Sequence, residues 1–150
     1  MFQFSLQEVL EFRQEKLEEC EREYLKAAQE LKQARAKQEA LGEERRETID
    51  SLRDRQEAGI SPGESWIFQN YIEDMDARAF DLAKETWQCE QIMQYKRDDY
   101  LLARREVEVM EKLREQEFRG YQYKERKNEE KMLNDLAIFK YRGHSKTKQA

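Results

Sequence analysis

Residues that break helices are concentrated in one short segment of this chain. The 150 residues include only five glycines and one proline, and the segment Gly59-Ile60-Ser61-Pro62-Gly63 holds the proline and two of those glycines. Folds built from strands need many turns, which this composition does not supply. The distribution therefore predicts an all-α chain with a long helix on each side of one turn.

Before that turn, apolar residues recur with the alternating three- and four-residue spacing of a coiled coil. Nine of thirteen seam positions are apolar, whereas 38% of the whole chain is hydrophobic. The positions are Leu10, Arg13, Leu17, Cys20, Tyr24, Ala27, Leu31, Ala34, Gln38, Leu41, Arg45, Thr48 and Leu52. The pattern predicts a first helix over about residues 3–57.

The turn, at about residues 58–63, carries a start signal for a second helix. Ser61 is a favoured N-cap residue, Pro62 suits the first helical position, and Glu64 completes a capping box. A second seam follows, with eleven of fourteen positions apolar: Phe68, Ile72, Met75, Ala79, Leu82, Thr86, Cys89, Met93, Lys96, Tyr100, Ala103, Val107, Met110 and Arg114. It predicts a longer helix over about residues 64–141 and a basic tail at residues 142–150.

A short turn between long helices produces an antiparallel hairpin. We therefore expect a single domain, residues 1–150, formed by a long antiparallel two-helix coiled coil with a longer second helix. In this register Cys20 and Cys89 miss each other by about 18 Å along the helix axis, so no intramolecular disulfide is expected. Two cysteines without C-x-x-C spacing fit a reducing cytoplasm.

The turn also matches G-x-S-x-G, the nucleophile elbow of α/β-hydrolases. That elbow follows a strand and uses the N–H after the serine as an oxyanion donor, but Pro62 has no N–H. The only histidine, His144, lies in the tail. We interpret Ser61 as a cap rather than a nucleophile. We predict no enzymatic activity, catalytic residue, cofactor or metal ligand, because no phosphate loop or ligand spacing is present.

A two-helix seam leaves apolar residues near the turn uncovered. Trp66, Ile67 and Tyr71 fall on faces away from the seam, and exposed Trp and Tyr are typical of binding hot spots. We predict a partner-binding patch at the turn end, formed by Trp66, Ile67, Tyr71 and Met75. The alternative is a hydrophobic plug that closes the hairpin tip.

The opposite end combines apolar and basic residues. Residues 111–150 carry 11 bases and 7 acids, although the chain as a whole has a net charge of −5. This amphipathic end is suited to an acidic or polar cavity. The predicted partner-binding residues there are Phe2, Phe4, Arg13, Lys127, Lys131, Leu133, Leu136, Phe139 and Arg142.

A different class of function remains open for this end: an adaptor that binds a membrane surface or a nucleic acid. The interleaved acids argue against it, and no nucleic-acid partner is expected. No stretch approaches the roughly 20 apolar residues that span a bilayer, so no membrane span is expected.

Three segments resemble the FliJ family, the small coiled-coil proteins of the flagellar type III export apparatus. The opening Phe2-Gln3-Phe4-Ser5-Leu6-Gln7-Glu8-Val9-Leu10, with Arg13, is similar to F-x-F-x-L-x-x-V-L…R. Residues 110–115 resemble its L-E-K-L-R-E segment. Tyr121, residues 129–131 and residues 134–137 resemble its Y…E-Q-K…D-E-x-A ending, with Glu130 in place of Gln and Asn134-Asp135 in place of Asp-Glu.

The resemblance implies a two-helix coiled coil similar to the central stalk of rotary ATPases. It implies that the end bearing both termini engages the hexameric export ATPase and promotes ring formation. It also implies binding to the cytoplasmic domain of the export gate and to export chaperones. The expected location is cytoplasmic, peripheral at the inner face of the cell membrane. We assign the turn-end patch to the gate as a hypothesis. The alternative is the equivalent stalk of an injectisome.

Overall fold

The computed structural model describes the backbone of residues 1–148 and the side chains of residues 1–144. It contains two helices, α1 (Gln7–Ala58, 52 residues) and α2 (Pro62–Lys148, 87 residues), and this described part has no strand. The predicted all-α fold with a longer second helix is confirmed. The predicted tail at residues 142–150 lies partly outside the described residues.

The helix ends differ from the predicted ones by a few residues. α1 starts at Gln7 rather than near residue 3, because residues 1–4 are extended or irregular and Ser5 and Leu6 form a turn closed by the Gln7 amide donating to the Phe4 carbonyl at 3.3 Å. α2 passes its predicted end near residue 141 and continues to Lys148. No proline lies there, and an isolated glycine such as Gly143 costs a helix only about 1 kcal/mol.

The turn has the predicted N-cap but only half of the predicted capping box. Among the described residues the Glu64 carboxylate accepts no hydrogen bond from the Ser61 amide and instead lies 3.9 Å from the Arg55 guanidinium. Gly59 has a φ of 94°, a left-handed conformation that favours glycine. The Ser61 hydroxyl accepts a hydrogen bond from the Glu64 amide at 3.2 Å, which is the N-cap contact. The Ser61 carbonyl accepts from the Ser65 amide at 3.1 Å. These contacts reverse the chain in three residues and start α2 at Pro62.

The chain divides into two compact units. The turn unit comprises residues 16–103, and the terminal unit comprises residues 1–15 and 104–150. Within the turn unit the helices run antiparallel, as four ion pairs between them show. The pairs are Glu23 with Lys96 at 3.0 Å, Glu90 with Arg35 at 3.9 Å, Asp76 with Arg45 at 2.7 Å, and Glu64 with Arg55 at 3.9 Å.

The core of the turn unit is a single thin seam. Met75 is completely buried, and the other buried hydrophobic residues of this unit are three alanines and two leucines: Ala27, Ala34, Ala103, Leu31 and Leu41. The Tyr24 and Tyr100 rings stack across the seam with centroids 5.8 Å apart. Every predicted seam position of the first helix is at least partly buried, so the heptad assignment of α1 is confirmed.

The terminal unit has a seam of the same kind. Phe4, Leu10, Val107 and Met110 are its buried hydrophobic residues. The predicted seam of α2 is wrong at its last position, because Arg114 is exposed. Its charged guanidinium stays in water rather than entering the seam.

Both cysteines are free and lie in the turn unit, as expected from the register. Burial, followed by the carboxylate of Asp99, raises the pKa of the Cys20 thiol. A thiol with a raised pKa is a weaker nucleophile at neutral pH. Cys20 therefore serves as a packing residue of the seam.

Replacing Ser61 with Ala should lower the free energy of unfolding by about 1 kcal/mol, because the first-turn amide of Glu64 loses its acceptor. In a chain of this size that corresponds to a melting temperature lower by about 2–4 °C, measured by circular dichroism. Ser51→Ala, at an exposed position inside α1, is the matched control and should change little. Equal effects of the two substitutions would contradict the capping role.

Candidate partner-binding surfaces

The first turns of α2 present large apolar side chains to solvent. Trp66 is 65% exposed and Ile67 is 63% exposed, although the seam residue Phe68 follows Ile67 directly in the sequence. Helix geometry explains this, because residues adjacent in sequence lie about 100° apart around the axis. The plug alternative requires these side chains to be covered, and their exposure argues against it.

The other two residues of the predicted turn-end patch have structural roles. Tyr71 is 40% exposed, and its hydroxyl donates a hydrogen bond to the Glu44 carboxylate on α1. This bond raises the pKa of Tyr71 and ties the two helices together. Met75 is fully buried in the seam. The inclusion of Met75 in the contact surface is therefore corrected, since it belongs to the core.

Contacts between the helices support the base of the patch. The Arg55 guanidinium lies 5.4 Å from the centre of the Phe68 ring, within cation–π range, and 3.9 Å from the Glu64 carboxylate. Trp66 and Ile67 therefore project from a part of the helix that is fixed on its opposite side. A rigid backbone lowers the entropy lost when a partner binds.

In the terminal unit, the N-terminal segment packs on α2 through aromatic rings. The Phe2 ring meets Phe118 edge-on at 5.1 Å and Tyr121 at 5.5 Å. Phe4 is 7% exposed and lies in the core. These two residues anchor the N-terminal segment. The prediction that Phe4 contacts a partner directly is corrected, because its side chain is covered by this chain.

Hydrogen bonds from Ser5 also hold the N-terminal segment on α2. Glu117 accepts two hydrogen bonds from Ser5, one from the amide at 3.1 Å and one from the hydroxyl at 2.9 Å. A carboxylate that receives two donors fixes both the position and the direction of the chain. The turn before α1 is thus fastened to α2 by Ser5 as well as by Phe2 and Phe4.

Beyond these contacts, α2 carries an apolar cluster that the described residues leave open. Phe2 reaches Phe118 and Tyr121, which precede the cluster by about ten residues. All six large members are between 53% and 77% exposed: Met132, Leu133, Leu136, Ile138, Phe139 and Tyr141. The structure thus confirms the exposure of Leu133, Leu136 and Phe139. We call these six residues the terminal cluster.

Basic side chains accompany the terminal cluster. The Lys127 ammonium lies 5.7 Å from the centre of the Tyr123 ring and 3.9 Å from the Glu130 carboxylate. Lys131 and Arg142 are exposed, whereas Arg13 is partly buried on α1. Exposed pairs of this kind contribute little to stability, so these cations remain available for a partner.

Sequence reasoning missed one surface. Phe80, Trp87, Tyr95 and Leu102 are 73%, 62%, 66% and 55% exposed along one face of α2 in the turn unit. Their spacing of seven or eight residues was the available signal. It was hidden because seam and charged residues separate the four side chains along the sequence, so that they form no single apolar run.

Comparison with known protein families identifies the group to which this fold belongs. A model of the family described as flagellar FliJ protein matches residues 2–146. The chain belongs to the FliJ family. The predicted family and the predicted relation to flagellar export are thereby confirmed. Searches of curated proteins and of solved structures gave no match.

Family membership makes the chain a coiled-coil protein of flagellar export, and the family is a non-catalytic component of that system. Among the described residues, no helix is long and apolar enough to cross a membrane. Within the same part of the chain, no group of three His, Cys, Asp or Glu side chains is placed to hold a metal ion.

Replacing Glu117 with Gln should loosen the N-terminal segment, because the neutral amide offers one acceptor oxygen where the carboxylate offers two. The loss of about 1 kcal/mol corresponds to roughly fivefold faster hydrogen exchange at the amides of residues 5–10. Glu115→Gln is the matched control, since Glu115 pairs with Arg119 on its own helix at 2.6 Å. Unchanged exchange in the Glu117 variant would contradict the anchoring role.

Proposed function

We propose that this protein is a stalk-like component of the flagellar export machinery. In this proposal its terminal unit engages the hexameric export ATPase and promotes ring assembly and ATP hydrolysis. The turn-end patch contacts the cytoplasmic domain of the export gate, and the protein also meets export chaperones. The observation that carries the proposal is the open, basic-flanked terminal cluster on a chain that matches the FliJ family over residues 2–146.

The terminal cluster supplies the apolar contact that such binding needs. Soluble chains rarely expose several neighbouring large apolar side chains, and such patches mark protein contacts. Phe139 and Tyr141 are 76% and 77% exposed, so a partner that covers them gains most of their burial free energy. At about 25 cal/mol per Å² of apolar surface, covering two aromatic rings contributes several kcal/mol.

Charge gives this contact a direction. Residues 111–150 have four more bases than acids, whereas residues 1–110 have nine more acids than bases. A ring opening lined with acidic or polar groups would attract the terminal unit and repel the rest of the chain. Electrostatic attraction of this type raises the association rate and orients the approach.

The turn-end patch differs in character and suits a second partner. Trp66 and Ile67 are exposed, and the acids Glu64, Glu73 and Asp74 lie close to them in sequence. An aromatic patch in an acidic surrounding favours a partner segment that combines apolar and basic residues. We assign this role to the export gate. The protein would then work at the inner face of the cell membrane without entering it.

The family description favours the flagellar system over the equivalent stalk of an injectisome. The adaptor alternative rests on the basic residues alone. It does not use the large apolar side chains of the terminal cluster. The ATPase proposal accounts for both features, so we prefer it.

Adding this protein to the purified export ATPase of the same organism, far below one copy per subunit, should stimulate ATP hydrolysis and hexamer formation together. Replacing Leu133 and Phe139 with Ala should abolish most of the stimulation, because the apolar contact is removed. The α-helical circular dichroism should not change, because both side chains are exposed. Full stimulation by this double variant would contradict the assignment of the terminal cluster.

Variants of the turn-end patch and of the terminal cluster are controls for each other. Replacing Trp66 and Ile67 with Ala should weaken binding to the purified cytoplasmic domain of the gate, by about tenfold or more for a hot-spot aromatic residue. The same double variant should stimulate the ATPase normally. The Leu133 and Phe139 double variant should bind the gate domain normally. A common loss of both activities in either variant would instead indicate misfolding or a shared surface.

A further inference from the structure

One exposed face of α2 in the turn unit carries seven side chains whose spacing is the same when read from either end. Going along the helix, its members are Phe80, Lys84, Trp87, Gln91, Tyr95, Asp98 and Leu102. All seven are exposed, and the four large apolar members are 55–73% exposed. We call this set the outer stripe. It shares no residue with the seam, the turn-end patch or the terminal cluster.

Helix geometry aligns these residues. The successive spacings are four, three, four, four, three and four residues, which place 22 residues on about six turns. A period of about 3.67 residues per turn is close to that of a straight α-helix, so the stripe does not wind around the helix. The seven side chains therefore form one continuous ridge.

The order of the spacings is the same in both directions from Gln91. Reversing the helix about this residue brings Phe80 to the position of Leu102, Lys84 to that of Asp98, and Trp87 to that of Tyr95. Apolar positions exchange with apolar ones, and the basic position exchanges with the acidic one. A twofold-symmetric interface requires this self-complementarity, whereas contact with an unrelated protein does not.

We infer that the outer stripe binds a second copy of this chain, with the two α2 helices antiparallel and the twofold axis at Gln91. Each contact layer would pair one residue with a residue of the second copy. The layers are Phe80 with Leu102, Lys84 with Asp98, Trp87 with Tyr95, and Gln91 with the Gln91 of the second copy. Antiparallel coiled coils pack in layers of this kind. The second half of the interface repeats the same layers by symmetry.

Charge selects the antiparallel arrangement. In a parallel pair each residue would face its own copy, so that two Lys84 ammonium groups and two Asp98 carboxylates would meet and repel. Within the described residues, neither the Lys84 ammonium nor the Asp98 carboxylate makes a side-chain hydrogen bond or an ion pair. Both charges are therefore available, and the antiparallel pair joins them twice.

The area of the outer stripe determines the dimer affinity that we expect. Six aromatic rings, three from each copy, would be covered in the dimer, which corresponds to a buried area on the order of 1,000 Å². That area lies at the lower end of specific protein interfaces. We therefore expect reversible dimers with a dissociation constant in the micromolar range, measured by analytical ultracentrifugation of the full chain.

Cysteine cross-linking tests the position of the twofold axis. In a chain with Cys20 and Cys89 replaced by Ala, Gln91→Cys places two thiols across the axis. Helices about 9 Å apart bring the two Cα atoms to roughly 4–5 Å, within disulfide range. Gln69→Cys is the matched control, because its two copies would lie about 66 Å apart along the helices. We expect a covalent dimer with Gln91→Cys alone.

Charge exchange tests the register. Lys84→Glu and Asp98→Lys should each raise the dimer dissociation constant about tenfold, because two attractive contacts become repulsive. An equimolar mixture of these two variants should recover the original affinity, since the acidic stripe of one faces the basic stripe of the other. Helicity should remain unchanged in both, because positions 84 and 98 are exposed.

Three outcomes would overturn the inference. They are a chain that stays monomeric at high micromolar concentration, equal cross-linking at positions 69 and 91, and a mixture of charge variants no tighter than either alone. The first would assign the stripe to a different protein, and the others would assign dimerisation to another surface. None of these three measurements involves the ATPase or the gate. Failure of the dimer inference would therefore leave the proposed function unaffected.

Discussion

The thin seam between α1 and α2 is the constraint on which the rest of the structure depends. In each unit it is one layer of side chains, with Met75 fully buried in the turn unit and Leu10 almost fully buried in the terminal unit. Alanines hold three of the other eight buried hydrophobic positions among the described residues. Each helix turns only one face toward this seam. All other faces meet solvent, so any further apolar side chain becomes surface. The charged fraction of 41% keeps such a surface soluble.

Polar contacts around the seam refine the pairing of the helices but do not create it. The Lys96–Glu23 and Arg45–Asp76 pairs are partly exposed, and pairs of this type contribute little free energy each. The hydrogen bond that Lys96 donates to Glu23, together with the negative charge of Glu23, raises the pKa of Lys96. The pair therefore favours the charged form of the lysine. The apolar seam sets the register, and the ion pairs then oppose sliding because a shifted helix would separate several of them at once.

The fold was predictable from the sequence because both of its determinants are local and periodic. The seam follows from residue spacing, and the start of α2 follows from Ser61 and Pro62. Met75 and Phe4 were harder to place. Each stands among residues of a predicted surface, and its burial depends on packing against the other helix. Periodicity alone placed Met75 on the seam but could not decide whether it also reached a partner.

The helix ends were less predictable for a different reason. The sequence predicts that the first helix starts near residue 3, but Phe2 and Ser5 contact α2 and the chain turns at residues 5–6 before the helix begins. Those contacts join residues more than a hundred positions apart, so no local signal reveals them. The outer stripe was missed for another reason. Its spacing is a local signal, but seam and charged residues separate its members along the sequence.

The three exposed apolar surfaces differ most in their charge, and this difference determines what each can bind. The terminal cluster lies among bases, the turn-end patch lies among acids, and the outer stripe carries one Lys and one Asp at symmetric positions. Apolar contact gives affinity without direction, whereas charge decides between partners. A basic surface selects an acidic partner, and an acidic surface selects a basic one. A surface whose charges are exchanged by reversal is complementary to itself. Under the proposed assignments, the pattern of charge therefore distinguishes three kinds of partner on one two-helix scaffold.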